Sequence, residues 1–277
     1  MIFEFLTSLL TPAPKWARRM GYVHEAIAIK ARAKRCQVAW ASHQNKTKTA
    51  ILEAVKERVQ NRTVLIVGSG ACLDIPLREL ADIFERVVLV DIVHPPKSRS
   101  HGLNNVVHVT LDITNQIEGF YNNPDVLPDA KVPTIYHDFP DIDFVLSVNV
   151  ASQLAVIPLH YAALKLAHED DALIAFSKNL IQAHFKWLSG FKCPSALICD
   201  RMWELLDPAG KRISVEDPLY GVNLNAPSEM WCWDVAPLVE TGAGFARRNQ
   251  VGYWPNFLFT AIDNTSASFA EETMESK

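Results

Sequence analysis

Residues 62–91, RTVLIVGSGACLDIPLRELADIFERVVLVD, decide the fold. They hold two apolar runs, 64–67 and 87–90, each four residues long and rich in β-branched side chains, the composition of strands buried on both faces. Between them Leu73, Leu77, Leu80 and Phe84 recur at intervals of four, three and four, which predicts a helix with one apolar stripe against a sheet. The pieces make a β-α-β unit. Gly68, Ser69 and Gly70 form the turn out of the first strand, where glycine allows backbone angles and a close approach that a Cβ blocks. Asp91 ends the second strand, twenty-one residues after Gly70, at the carboxyl edge where an acid accepts the hydroxyls of a ribose. A nucleoside-bearing cofactor follows from the combination.

The dinucleotide fingerprint needs a third Gly or Ala three residues after Gly70, so that the helix packs close and presents its N-terminus to a pyrophosphate. That position is Leu73. The stretch instead resembles motif I of class I S-adenosylmethionine-dependent methyltransferases, in which an acidic or small residue precedes Gly-x-Gly and an acid closes the next strand. Cys72 replaces the third glycine common in that motif, and Ile66 stands where an acid is often found. Asp74 is available as a displaced carboxylate for the methionine end.

Downstream, Pro95 and Pro96 interrupt regular structure, and a third strand is expected at 106–111, ending in Asp112-Ile113. The resemblance implies that Asp91 and Ile92 hold the ribose edge, that Asp112 accepts from the adenine amino group, and that Ile113 covers the ring. Taken alone, Asp112 also suits a cap for a helix at 114–120. Residues 121–140, with four prolines, read as a loop. A fourth strand at 144–148 runs into Asn149, which the resemblance puts beside the reactive methyl group. Ser152 is the expected N-cap of a helix at 153–167, and 172–177 is the expected fifth strand. The chain then closes with a helix at 229–240, a glycine-bearing turn at 241–245, a strand at 246–254 and an antiparallel partner at 256–263, the closing order of class I methyltransferases. The residual segment, 178–228, reads as an insertion carrying a β-hairpin, 195–206 with 211–219 about the turn Asp207-Pro208-Ala209-Gly210, laid across the cofactor edge.

The fold class expected is thus α/β, a Rossmann-like, doubly wound, mostly parallel sheet with a terminal antiparallel hairpin and an N-terminal helical extension. Its parts are the extension at 1–60, a cofactor domain at 61–263 with the insertion, and a solvated tail at 264–277. Hydrophobic residues make up 49% of the 277, enough for a substantial core. Residues 1–50 carry nine Lys or Arg against Glu4 and Glu25, so this segment is +7 and the remainder −11. Tyr22, Ala26, Ile29, Ala33, Cys36 and Trp40 give one helix at 16–40 an apolar stripe that needs a partner surface, and a second helix is expected at 48–60. The segment's basic charge reads as a solvated face complementing the acidic body, ahead of an anion- or RNA-binding arm.

Five cysteines without a C-x-x-C pair indicate reduced thiols, and no His grouping has metal-ligand spacing, so no metal is expected. The opening MIFEFLTSLL has no basic leader and carries Glu4, no run approaches the ~20 apolar residues of a membrane span, and a cytoplasmic protein is expected. The leading functional reading is methyl transfer from S-adenosylmethionine to a small-molecule acceptor, with nucleic acid disfavoured by the acidic body. Three alternatives stay open: an NAD(P)-dependent oxidoreductase, against which Leu73 counts; a cofactor-binding or assembly protein without catalysis, for which Cys72 speaks; and transfer of another group from the same cofactor. Asn149 and His184, the latter the one histidine in 178–228, are the candidate catalytic residues, in a pocket with Trp231 and Trp233. His184 suits a base at neutral pH, but on residue type alone an ordinary surface or packed helix histidine within 181–188 comes ahead of that reading. Cofactor contacts are assigned to Gly68, Ser69, Gly70, Asp74, Asp91, Ile92, Asp112, Ile113 and Asn149.

Overall fold

The computed structural model describes Thr7 and residues 10–96, 102–165, 169–242 and 244–260. The expected tail at 264–277 and most of the opening decapeptide lie outside the described residues. Strands β1 (Thr63–Val67), β2 (Arg86–Asp91), β3 (Val106–Thr110), β4 (Ile142–Val148), β5 (Ser195–Leu206), β6 (Arg212–Glu216), β7 (Glu229–Ala236) and β8 (Ala246–Trp254) form one sheet among the described residues. Its order is β3-β2-β1-β4-β5-β8-β7, with β6 paired to the outer half of β5. The run from β3 to β5 is parallel, while β8 lies antiparallel to both β5 and β7. The strand order reverses between β1 and β4, the switch point at which open α/β sheets bind ligands.

Alternating side chains feed two layers. Val64, Ile66, Leu89, Phe144, Leu146 and Ile198 meet Trp40, Ile51 and Leu80 on one face; Leu65, Val67, Val90, Val145 and Leu197 meet Ile181, Phe185, Trp187 and Leu188 on the other. All five residues of β1 are buried, as a strand covered on both faces requires.

The N-terminal stripe forms three helices where one was expected: α1 (Lys15–Met20), α2 (Tyr22–Arg35) and α3 (Gln37–Ala54). Gly21, at φ 104°, makes the first break, and Cys36, at φ −99° and ψ 22°, makes the second. Of the helix expected at 48–60, residues 48–54 are the end of α3, Val55–Glu57 form one 3-10 turn, and 58–60 are not helical. Arg32 and Arg35 pair with Glu240, and Lys46 with Glu229, so basic charge on these helices does complement the acidic body. Trp40 also donates its indole N–H to the Val235 carbonyl at 3.1 Å.

The helix after the glycine turn, α4 (Leu77–Ile83), starts four residues later than Leu73 implied. Cys72 sits at φ 54°, a left-handed conformation that stops a helix, and Pro76 restricts Ile75 before it. Next come α5 (Ile117–Asn122) and α6 (Val156–Lys165). Ser152 caps no helix; its hydroxyl donates to Asp200 at 3.2 Å.

The largest departures lie beyond β4. Residues 172–177 belong to α7 (Asp170–Ser189), whose buried Phe176, Leu180, Ile181, Ala183, Phe185, Trp187 and Leu188 follow a helical stripe. A short apolar run such as ALIAFS does not separate strand from helix by itself. The fifth strand is β5, which pairs parallel with β4 before it pairs antiparallel with β6, so the hairpin expected at 195–219 exists but its first arm belongs to the central sheet. Residues 229–236 are strand β7 and not a helix: Trp231, Trp233 and Val235 are buried while Met230 and Cys232 are exposed, a period of two. Only α8 (Leu238–Thr241) is helical there. The antiparallel partners of β8 are β5 and β7; residues 256–260 form no strand, and 261–263 lie outside the described residues. No helix among the described residues is long and apolar enough to cross a membrane.

Candidate functional site

The β1–α4 turn is built against the end of β4. A Cβ on Gly68 would stand 2.4 Å from the Val148 carbonyl oxygen and 2.6 Å from Val150 Cβ, both fixed by backbone, so only glycine fits. Gly70, at φ +46°, donates its N–H to Asp91 Oδ2 at 2.7 Å, and Val93 N–H approaches Oδ1 at 3.4 Å. The acid closing β2 therefore holds the turn leaving β1. Burial raises the Asp91 carboxyl above the usual carboxylate range, while the Gly70 amide and His94 oppose the rise.

Over this edge lies a cavity of about 710 Å³, within the range of small-molecule sites. Gly68, Ser69, Gly70, Asp74, Asp91, Ile92, Asp112, Ile113 and Asn149 all line it, so the structure brings every expected cofactor residue together. Asp112 accepts the N–H groups of Thr114, Gln116 and Ile117 at 2.8–3.0 Å, so it also anchors the entry to α5. Asn149 follows β4 at φ 52°, and its Nδ2 donates to Asp74 Oδ2 at 2.6 Å. Its Oδ1 is buried with no hydrogen-bond partner among the described residues, as is Ser69 Oγ.

Histidine 184 is not in the cavity. It lies in α7, 2% exposed, with Nε2 at 2.8 Å from Ser147 Oγ and its ring stacked on Trp187. Burial lowers its pKa to about 4, which leaves the ring uncharged at neutral pH. Nor does any residue of 178–228 line the cavity. The cover comes instead from α1, α2 and α3, through Met20, Tyr22, Ile29, Trp40 and His43, and from Ile157 and Tyr161 of α6. Trp231 and Trp233, both placed in the pocket by the sequence, share one face of strand β7 in place of the expected helix; Trp233 reaches the cavity and Trp231 packs behind it.

Two cavity residues had no signal in the glycine-turn pattern. Tyr22 lines the cavity with Asp91 and Asp112, and its phenol is pushed well above its ordinary value, first by burial and then by those two carboxylates. His43, 1% exposed, stacks on Trp233 at 4.1 Å and 7° and puts Nε2 3.7 Å from Asp74 Oδ2. Both sit in the N-terminal segment, far in sequence from the strand-turn-strand unit.

The reversal of strand order at β1/β4, the glycine turn tied to the acid of β2, and the cavity at that edge fix the architecture. The fold is a Rossmann-like α/β fold, a doubly wound, mostly parallel sheet with antiparallel strands at one edge. No family model and no curated protein sequence matches the chain. Among solved structures, it is similar to the 1,6-didemethyltoxoflavin-N1-methyltransferase of Burkholderia thailandensis, at 13% identity over 83% of this chain and 89% of that one, with a TM-score of 0.34. It is also similar to the N-methyltransferase NodS of Bradyrhizobium japonicum, at 10% identity over 77% and 97%, TM-score 0.33. A third similar structure is the 23S rRNA methyltransferase ErmE, at 12% identity over 77% and 70%, TM-score 0.27.

Proposed function

We propose that this chain binds S-adenosylmethionine and transfers its methyl group to a small-molecule acceptor. The observation that carries the reading is the Gly70 N–H to Asp91 bond at the switch point, with Asp112 on the same cavity. When bound, the cofactor supplies an electrophilic methyl on a sulfonium. Gly68 and Gly70 give the main chain room to approach it, and Ser69 Oγ is a buried group in need of a partner. Asp91 and Ile92 would take the ribose edge, and Asp112 and Ile113 the base. Asp74 and Asn149 stand at the methyl end, between cofactor and acceptor, where orientation of the nucleophile is the main catalytic contribution. His184, outside the cavity, is left with a packing role.

Two observations support this choice over the alternatives. No helix begins at the glycine turn: α4 starts at Leu77 behind Pro76, so no helix N-terminus is offered to a pyrophosphate, as a nicotinamide dinucleotide requires. Among the described residues the cavity is lined by four carboxylates, Glu25, Asp74, Asp91 and Asp112, and by one guanidinium, that of Arg19. That field favours a sulfonium and opposes a phosphodiester, which supports a small acceptor over nucleic acid. Calorimetric titration with S-adenosylhomocysteine and with NAD tests the reading. Binding of the first and not the second is expected; binding of NAD alone refutes it.

A further inference from the structure

At the end of the cavity away from Tyr22, α3 and β7 bring together groups that the cofactor reading leaves without a task. Trp231 Nε1 lies 3.0 Å from His43 Nδ1. An indole nitrogen only donates, so Nδ1 accepts and the ring proton sits on Nε2, the nitrogen that faces Asp74. The 3.7 Å separation is longer than a hydrogen bond, and Nε2 is buried without a partner among the described residues. Asn149 addresses the same carboxylate oxygen, Oδ2, through its amide NH₂. Among the described residues no hydrogen bond reaches Asp74 Oδ1, and Asn149 keeps Oδ1 as a second free acceptor. Trp233, with Trp40 edge-on at 5.0 Å and His43 stacked upon it, walls this end.

One buried acceptor without a partner, Asn149 Oδ1, beside a carboxylate oxygen that no described donor reaches, asks for a ligand group with several N–H donors and a positive charge. An alcohol offers one donor, and a carboxylate or phosphate would meet the charge of Asp74 directly. We propose that His43, Asp74 and Asn149 form a binding site for a protonated amine carried by the acceptor, with His43 as the positioning residue that holds the Asp74 carboxylate. The inference rests on the methyltransferase reading and names the acceptor's chemistry within it. His43 and Trp233 come from α3 and β7, outside the nucleoside-binding half of the sheet, which is why the amine is assigned to the acceptor.

The test uses the full chain saturated with S-adenosylhomocysteine and titrated with phenethylamine, 2-phenylethanol and 3-phenylpropionate, which share a ring and differ in charge. The amine is expected to bind at least tenfold more tightly than the alcohol, and the acid not at all. Asp74→Asn should abolish that preference among the three probes, read at S-adenosylhomocysteine concentrations that saturate the variant. His43→Leu should weaken the amine about tenfold, and His43→Gln, which restores a donor, should recover most of it, a rescue that a purely structural histidine would not give. Equal affinity for the three probes, or no binding of the amine, overturns the proposal. So does an Asp74→Asn variant that loses S-adenosylhomocysteine but keeps 5′-methylthioadenosine, because the carboxylate then holds the cofactor's own ammonium. Failure of the native chain to bind S-adenosylhomocysteine refutes the methyltransferase reading itself, a result separate from any preference among the amine probes.

Discussion

Replacing Asp91 by Asn separates the cofactor site from the stability of the fold. The carboxylate has two tasks: it accepts the Gly70 N–H at 2.7 Å, and in the proposed complex it accepts a ribose hydroxyl pair. Asn keeps one oxygen for Gly70 and exchanges the other for an NH₂ donor, so one charge-assisted hydrogen bond to the cofactor is lost. Such bonds contribute about 1.5–3 kcal/mol, which predicts an S-adenosylhomocysteine dissociation constant about 10- to 150-fold higher. Stability should move the other way. Burial raises the Asp91 pKa from its ordinary 3.8, so its favourable contribution is complete below that pH and is lost as pH rises through the folded value. At neutral pH the buried charge is a liability that Asn removes, and the melting temperature should hold or rise. Calorimetry at pH 7 with a parallel thermal melt reads both quantities. A folded Asp91→Asn protein that binds S-adenosylhomocysteine within twofold of the native chain would refute the placement of the ribose.

His184→Ala should lower stability by about 2–4 kcal/mol, by opening a cavity and leaving the Ser147 hydroxyl without its partner, while affinity for S-adenosylhomocysteine stays unchanged; lost affinity would return His184 to the site. The native chain should also lose stability as pH falls from 6.5 to about 4, where the unfolded state takes a proton that buried His184 refuses, and His184→Asn should flatten that part of a pH–stability curve. Cys72→Val should cost about 1–2 kcal/mol because a β-branched residue tolerates φ 54° poorly, whereas Cys72→Gly should lie near zero, strain relief offsetting added chain entropy; equal melting temperatures for the two would refute the strain. Asp143 is 1% exposed; its burial acts to raise its pKa, but hydrogen bonds from Arg62 override this and hold it low. Its contribution is present above the ordinary 3.8 and lost as pH falls through the folded value, so Arg62→Met should remove that pH dependence and lower the denaturant midpoint at pH 7, by less than a fully buried pair would because Arg62 is 35% exposed. A chain beginning at Lys48 removes Tyr22, Trp40 and His43 from the cavity and should melt lower and bind S-adenosylhomocysteine at least tenfold more weakly; unchanged values would make the helices an independent arm.

The β1-turn-β2 unit was legible because its signals are local. A fully buried strand must be apolar throughout, a turn packed 2.4 Å from a carbonyl must be glycine, and an acid beside that turn must close the next strand. The same holds for Asp112 and Asn149, which follow short apolar runs. Beyond β4 the chain misled: 172–177 and 229–236 are apolar runs whose periods fit both helix and strand over so few residues, and packing decides between them. Trp231 and Trp233 are strand residues because β8 supplies hydrogen bonds along one edge and α3 covers their face. His184 has the residue type of a base, but α7 turns it toward Ser147, away from the cavity.

By itself, then, the sequence determined the β1-turn-β2 unit, whose thirty residues, Arg62 to Asp91, depend on one another and on backbone geometry that few residue types permit. The tertiary structure alone decided which elements cover the cavity, that His43 faces Asp74 from 31 positions away, and that Trp231, 188 positions from His43, sets its tautomer. Such contacts arise from the way α3 docks on β7, and side-chain chemistry carries no record of a partner that only the folded chain brings near.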